Sequence, residues 1–260
     1  MRGVNLSAET ATDRAGSGAS EPQRFFFVHM LKTGGTAMFL RLRQQYGDEG
    51  VYPNDTDGDM MGVAPQFVTK TLADRWQVRG DDIRVIIGHL PLCTTELLGV
   101  PFTTLTMLRE PVARTLSFLQ FHQRIFPQDA DVPLEALYED PTRFSQLIHN
   151  HMTKMLSLTP AEMTEDMLTP VDFTPERLAR AKSNLEQIDA VGTQDRLEDF
   201  CDAIDAAYGW NVALHVKHKG AGKPKVSRSF RRRIARDNAD DIELYEHAVE
   251  LVNSRGFIRR

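Results

Sequence analysis

Only two cysteines, Cys93 and Cys201, occur in 260 residues, and they lack metal-ligand spacing. Two are too few for a disulfide framework, and a reducing cytoplasm is the simplest compartment for such a chain. Long apolar runs are missing as well. No window approaches the ~20 apolar residues of a membrane span. The first residues have no apolar core of the roughly 7–15 residues that a secretory signal needs. Residues 1–24 are instead rich in Ser, Ala, Thr, Gly and Glu. They are expected to form a disordered leader ahead of a single domain over 25–260. A positive charge excess is also absent: the formal net charge is -5. That excludes a general attraction to nucleic acid or to anionic membranes.

What is present begins at Phe25-Phe26-Phe27-Val28-His29-Met30-Leu31-Lys32-Thr33-Gly34-Gly35-Thr36. A run of β-formers stops at Lys-Thr-Gly-Gly-Thr, and a helical pattern follows from Ala37 to about Tyr46. A strand, a tight glycine turn and a helix N-terminus form an arrangement that binds phosphate-like anions, because the first helical amides have no partner. The glycine pair alone fits a plain strand–turn–helix equally well. Lys32, Thr33 and Thr36 within five residues favour the anion, adding one positive charge and two hydroxyls to Gly34, Gly35 and the amide of Ala37.

Two further strands are expected, at 83–89 and 103–109, ending in His89 and Arg109. Residues 47–62 read as a loop, and 65–76 as one helix opened by Pro65. Glu110-Pro111 starts a helix with Val112, Leu116, Leu119 and Phe121 on its apolar side, and Arg114, Ser117 and Gln120 elsewhere. Helices are expected at 134–138, 143–156, 161–168, 175–187, 195–208 and 240–252, with a short strand at 188–192. Residues 216–236 hold nine Lys or Arg and no acid. That tract is a solvated face, or a loop over an anion in which Lys223 or Lys225 takes part. Alternating strands and helices imply an α/β fold of P-loop-like, three-layer type, with a mainly parallel central sheet flanked by helices. Ligands of such sheets bind beyond the carboxyl ends of the strands. Neighbouring parallel strands would bring Lys32, His89 and Arg109 together there.

The Walker pattern G-x-x-x-x-G-K-[ST] does not fit, since Lys32 precedes both glycines and no apolar strand ends in the Asp that would orient Mg²⁺. The anion is therefore expected to be met by side chains and amides, with no metal.

Lys32-Thr33-Gly34-Gly35-Thr36 resembles the 5′-phosphosulfate loop of the sulfotransferases that use 3′-phosphoadenylyl sulfate (PAPS). Leu108-Arg109-Glu110-Pro111-Val112-Ala113-Arg114-Thr115-Leu116-Ser117 resembles their 3′-phosphate signature, an Arg at a strand end and a Ser eight residues on. The nearest branch sulfates heparan 2-O and 6-O positions and has bacterial relatives. Its loop reads Pro-Lys-Thr-Gly-Gly-Thr, and Leu31 stands here in place of the Pro. Asn150-His151-Met152-Thr153-Lys154-Met155-Leu156, Val191-Gly192-Thr193-Gln194 and Asp241-Ile242-Glu243-Leu244-Tyr245 are similar to later segments of the family.

The resemblance implies transfer of a sulfuryl group from PAPS to a hydroxyl on a carbohydrate or glycolipid, with 3′,5′-ADP (PAP) as product. It implies His89 as general base, and Lys32 with the amides of 33–37 at the phosphosulfate. It implies Arg109 and Ser117 at the 3′-phosphate. His29 is expected to pack inside the first strand, and Arg109 has the alternative of an ion pair with Glu110 or Asp129. Glu96 and Glu110 are weaker candidates for the base. Two other classes compete: a P-loop-like nucleotide kinase, and a non-catalytic module that binds 3′,5′-ADP.

Overall fold

A computed structural model describes residues 23–59, 62–212, 222 and 224–259. Nearly all of the expected leader, and residues 216–221 and 223 of the basic tract, lie outside the described residues. Lys223 is among them.

The centre is a five-stranded sheet of β1 (Phe25–Val28), β2 (Val51–Tyr52), β3 (Val85–Ile86), β4 (Thr103–Leu108) and β5 (Ala190–Thr193). Its order is β2-β3-β1-β4-β5, and every pairing is parallel. β1 takes the middle because it can be buried on both faces. Successive side chains of a strand point to opposite sides. Phe25 and Phe27 enter one apolar cluster, while Phe26 and Val28 enter the other. Burying each such side chain contributes about 1.5–3 kcal/mol, so a Phe-Phe-Phe-Val run favours the centre over an edge.

Helices cover both faces, giving three layers. On the Phe25/Phe27 side lie α1 (Gly35–Tyr46), through Met38 and Leu42, and the helix Leu197–Tyr208, through Phe200 and Ile204. On the Phe26/Val28 side lie Thr69–Arg79, His151–Ser157, Pro175–Gln187 and Ala239–Arg255, through Leu72, Met155, Leu185 and Leu244. The helix Pro111–Ile125 builds a third cluster. Its Leu116, Phe118 and Leu119 pack on Leu137, Tyr138, and Phe230 and Ile234 of the helix Arg228–Asp237.

Several expected elements differ. The strand at 83–89 is only Val85–Ile86. The loop at 47–62 contains the edge strand β2, paired to β3 at Val51↔Val85 and Tyr52↔Ile86. The helix at 65–76 is two pieces, Val63–Phe67 and Thr69–Arg79, broken at an extended Val68. The Thr69 amide that opens the second piece donates to Asp166 Oδ1 at 2.8 Å. The helix at 143–156 is interrupted by a left-handed Asn150. The helix at 161–168 is absent apart from a single turn, Asp166–Leu168. There, side chains capture the backbone amides that a helix would use. The Thr169 hydroxyl accepts from the amides of Thr164 and Glu165, a local competition typical of short polar side chains.

The segments 150–154 and 238–241 interlock through buried hydrogen bonds. The Asn150 amide donates to Asn238 Oδ1 (2.9 Å), and the Asp241 amide donates to Asn150 Oδ1 (3.1 Å). The Asp241 carboxylate accepts from the amides of Met152 and Thr153 and from the Thr153 hydroxyl. Arg114 and Lys154 are buried with it. Arg114 donates to the carbonyls of Leu147 and Ile148, and Lys154 to that of Gln146. Arg114 is thus a wholly buried cation whose guanidinium is held by main-chain carbonyls.

Candidate functional site

The sheet order sets three strand ends side by side, since β3 and β4 flank β1. Lys32, His89 and Arg109 follow those ends, as the sequence implies. The loop between β1 and α1 is held from below. The Thr33 hydroxyl is buried and donates to Met30 O at 3.0 Å, so it braces the loop and is not offered to a ligand. The Leu31 amide donates to His151 Nε2 at 3.3 Å. That bond requires His151 to be neutral with its proton on Nδ1. Burial, with the charges of Arg114 and Lys154, holds His151 well below the ordinary imidazole range.

Each glycine of the loop has its own reason. Gly34 has φ +112°, and a Cβ there would stand 2.9 Å from Met107 Sδ. Gly35 faces the His29 imidazole, whose ring fills the space that a Cβ would need. The helix starts abruptly: the amides of Ala37 and Met38 both donate to Gly34 O, at 3.0 and 3.5 Å. The Ala37 amide, expected to bind the anion, is therefore already used. The first-turn amides of Gly35 and Thr36 have no acceptor within the helix, and Thr36 is exposed.

Lys32 adopts φ +68°, a left-handed conformation that costs a non-glycine residue about 1–2 kcal/mol. Arg109 fixes it there, since its Nη1 donates to Lys32 O at 3.0 Å. This bond joins the loop to the strand end that carries the second signature. The ion-pair alternatives for Arg109 are taken up elsewhere. Asp129 meets Arg143 and His122, and the Glu110 carboxylate caps its own helix through the amides of Val112 and Ala113. Arg109 Nε is buried without a partner. Ser117 is half-buried on the helix Pro111–Ile125. It shares a face with Phe121, four residues on, and the Lys32 Nζ lies 4.2 Å from the Phe121 ring centroid. Burial, then the positive charges of Arg124 and Arg109, lowers the Lys32 ammonium to about 8.

His89 is half-buried beside this loop. Its Nδ1 lies 2.7 Å from His29 O, and its ring stacks on Phe67 (4.9 Å) and lies 4.0 Å from the His29 ring. A carbonyl oxygen only accepts, so Nδ1 carries the proton and Nε2 keeps its lone pair. Burial, aided by the Lys32 charge, pulls His89 down to about 4 against the opposing pull of that hydrogen bond. His89 is therefore a neutral imidazole at physiological pH, with the tautomer a base requires. Glu96 is exposed on a separate short helix.

The sequence did not reveal two members of this arrangement. β1 ends at Val28, so His29 is not a strand residue. It holds His89 with its carbonyl and fills the Gly35 concavity with its ring. Phe121 belongs to the Lys32 side of its helix rather than to the apolar side. Its spacing of four from Ser117 was the available signal. Among the described residues, no group of three or more His, Cys, Asp or Glu is placed to hold a metal ion. No helix among them is long and apolar enough to cross a membrane.

No protein-family model matches the chain, and no curated protein matches its sequence.

Proposed function

We propose that this protein is a sulfotransferase that moves the sulfuryl group of PAPS to a hydroxyl, on a carbohydrate or glycolipid acceptor, and releases 3′,5′-ADP. The observation that carries the reading is the Arg109–Lys32 bond at 3.0 Å. It holds a second cation against the glycine loop, so that two positive side chains can meet two anionic groups of one ligand. A base of suitable tautomer stands at the next strand end.

In this reading the amides of Gly35 and Thr36, with Lys32, hold the 5′-phosphosulfate, and Arg109 and Ser117 hold the 3′-phosphate. Arg offers a fork of donors and Ser a hydroxyl. His89 Nε2 takes the proton of the acceptor hydroxyl as its oxygen bonds to sulfur. The bond from sulfur to the bridging oxygen breaks, and that oxygen keeps the electron pair. Lys32 stabilises the charge that grows there, a fixed electrostatic contribution of the kind that dominates many enzymes. No step is assigned to a metal.

The test is transfer of labelled sulfate from PAPS across a panel of glycans, glycolipids and small phenols, with His89→Ala as control. Label on an acceptor that disappears in the variant supports the reading. ATP-dependent transfer requiring Mg²⁺ would replace it with a kinase. Tight 3′,5′-ADP binding without transfer to any acceptor would leave a binding module.

A further inference from the structure

In the proposed transfer Lys32 acts at one oxygen, yet a lysine is a point charge on a flexible four-carbon stem. Something must fix its direction. Its backbone is held by the left-handed conformation and by Arg109 on its carbonyl. Neither restrains the ammonium. A carboxylate partner would restrain it, but it would also cancel the charge and repel an anionic ligand. The structure uses a ring instead, with the Phe121 face 4.2 Å from the Lys32 Nζ. The Arg124 guanidinium lies 6.0 Å from the centroid of the same ring. Ser117, Phe121 and Arg124, at i, i+4 and i+7, form one stripe of the helix Pro111–Ile125. Leu116 and Leu119, on the other side, are buried in the third cluster.

We propose that Phe121 is a positioning residue of the anion site: its π face seats the Lys32 ammonium without neutralising it. An aromatic quadrupole attracts a cation but carries no net charge. The seat therefore orients Lys32 while its positive charge remains for the ligand. Arg124 adds a second cation beside that ring, so the stripe is built for an anion of more than one charge. The effect on turnover rests on the sulfuryl-transfer reading, whereas the seat itself does not.

The full chain with ¹³C-labelled lysine separates the two. The Lys32 ε resonance is assigned through Lys32→Arg. In the parent it is expected upfield of the other lysines, because the ring current of Phe121 shields it. Phe121→Leu is expected to return it to the common position, and Phe121→Tyr, which keeps the π face, to preserve it. In PAPS-dependent transfer, Phe121→Leu is expected to lower kcat about tenfold with little change in KM, and Phe121→Tyr to restore most of it. In a Lys32→Ala background, Phe121→Leu should cost nothing further. An unshifted Lys32 resonance in the parent overturns the seat. A shifted resonance that Phe121→Leu abolishes with unchanged kcat overturns the positioning role. A shifted resonance in a protein that transfers no sulfate supports the seat and defeats the sulfotransferase reading alone. Urea unfolding of each variant checks that the fold is intact.

Discussion

His89 donates its Nδ1 proton to the carbonyl of His29 across 2.7 Å, and that contact decides the tautomer of His89. The donor nitrogen is committed to the residue just past β1. The other nitrogen keeps its lone pair. His89→Ala should therefore lower turnover by about 10²–10⁴-fold, the usual contribution of a general base. Single-turnover transfer of labelled sulfate, compared with 3′,5′-ADP affinity, measures it. A variant that binds the nucleotide and transfers at the parental rate removes His89 from the reaction.

The pH profile follows from two depressed groups. Protonated His89 cannot accept a proton, so kcat/KM should rise with pH through about 4, well under the ordinary imidazole value of 6.5. Neutral Lys32 cannot stabilise the leaving oxygen, so the rate should fall as pH passes about 8. Lys32→Arg should flatten that alkaline limb, because guanidinium stays charged. A profile with no fall near 8 in the parent would detach Lys32 from the rate.

Lys32→Ala should reduce kcat by about 10²–10³-fold, on the scale of removing one preorganised donor to a developing oxyanion. Affinity for 3′,5′-ADP should change far less, since the charge in question builds only as the bond to sulfur breaks. Equal losses in both would make Lys32 a plain ground-state ligand.

Arg109→Ala should weaken 3′,5′-ADP by about 10- to 100-fold, the worth of a charge-assisted hydrogen bond. Binding of 5′-AMP, which has no 3′ group, should be much less affected. Calorimetric titration of both nucleotides gives the ratio. Matching losses would point to the Lys32 carbonyl contact, and not a 3′-phosphate, as the role of Arg109.

Asp241→Ala should destabilise the protein by about 3–5 kcal/mol, because Arg114 and Lys154 would be left buried without their counter-charge. Urea denaturation measures it. A loss under about 1 kcal/mol would show that the carbonyls of Leu147, Ile148 and Gln146 suffice for both cations.

The sequence carried the parts of this fold that follow from strong local rules. Phe25–Val28 could be read because a buried parallel strand needs an apolar run, and Thr103–Leu108 because β-branched Thr alternates with apolar residues towards its end. Pro111 and Pro175 marked their helices because proline suits a first helical position. Those two strands and the one around Val85–Ile86 put Lys32, His89 and Arg109 past strand ends, and the sheet order brings those ends side by side. β2 could not be read: two residues show no period, and their pairing to Val85 and Ile86 is a tertiary event. The false helix at 161–168 has the right periodicity but loses the amides of Thr164 and Glu165 to the Thr169 hydroxyl. The candidate site shows its charges in the sequence and not its supports. Lys32 and Arg109 stand out in sequence, whereas the left-handed Lys32 backbone, the braced Thr33 hydroxyl and the occupied Ala37 amide arise only when the loop closes. The burial of Arg114 could not be read, because nothing in its own helix reveals Asp241 across the fold.

The His29 ring and Gly35 share one side chain's worth of volume between them. Neither position is free to drift alone. A library that randomises 35 by itself should return glycine, and one that randomises 29 by itself should favour flat rings that leave the helix start open. Bulk can move to position 35 only if it leaves position 29 in the same step. For sequence comparison, the two positions therefore form one character, to be scored as a pair when distant chains with this loop are aligned.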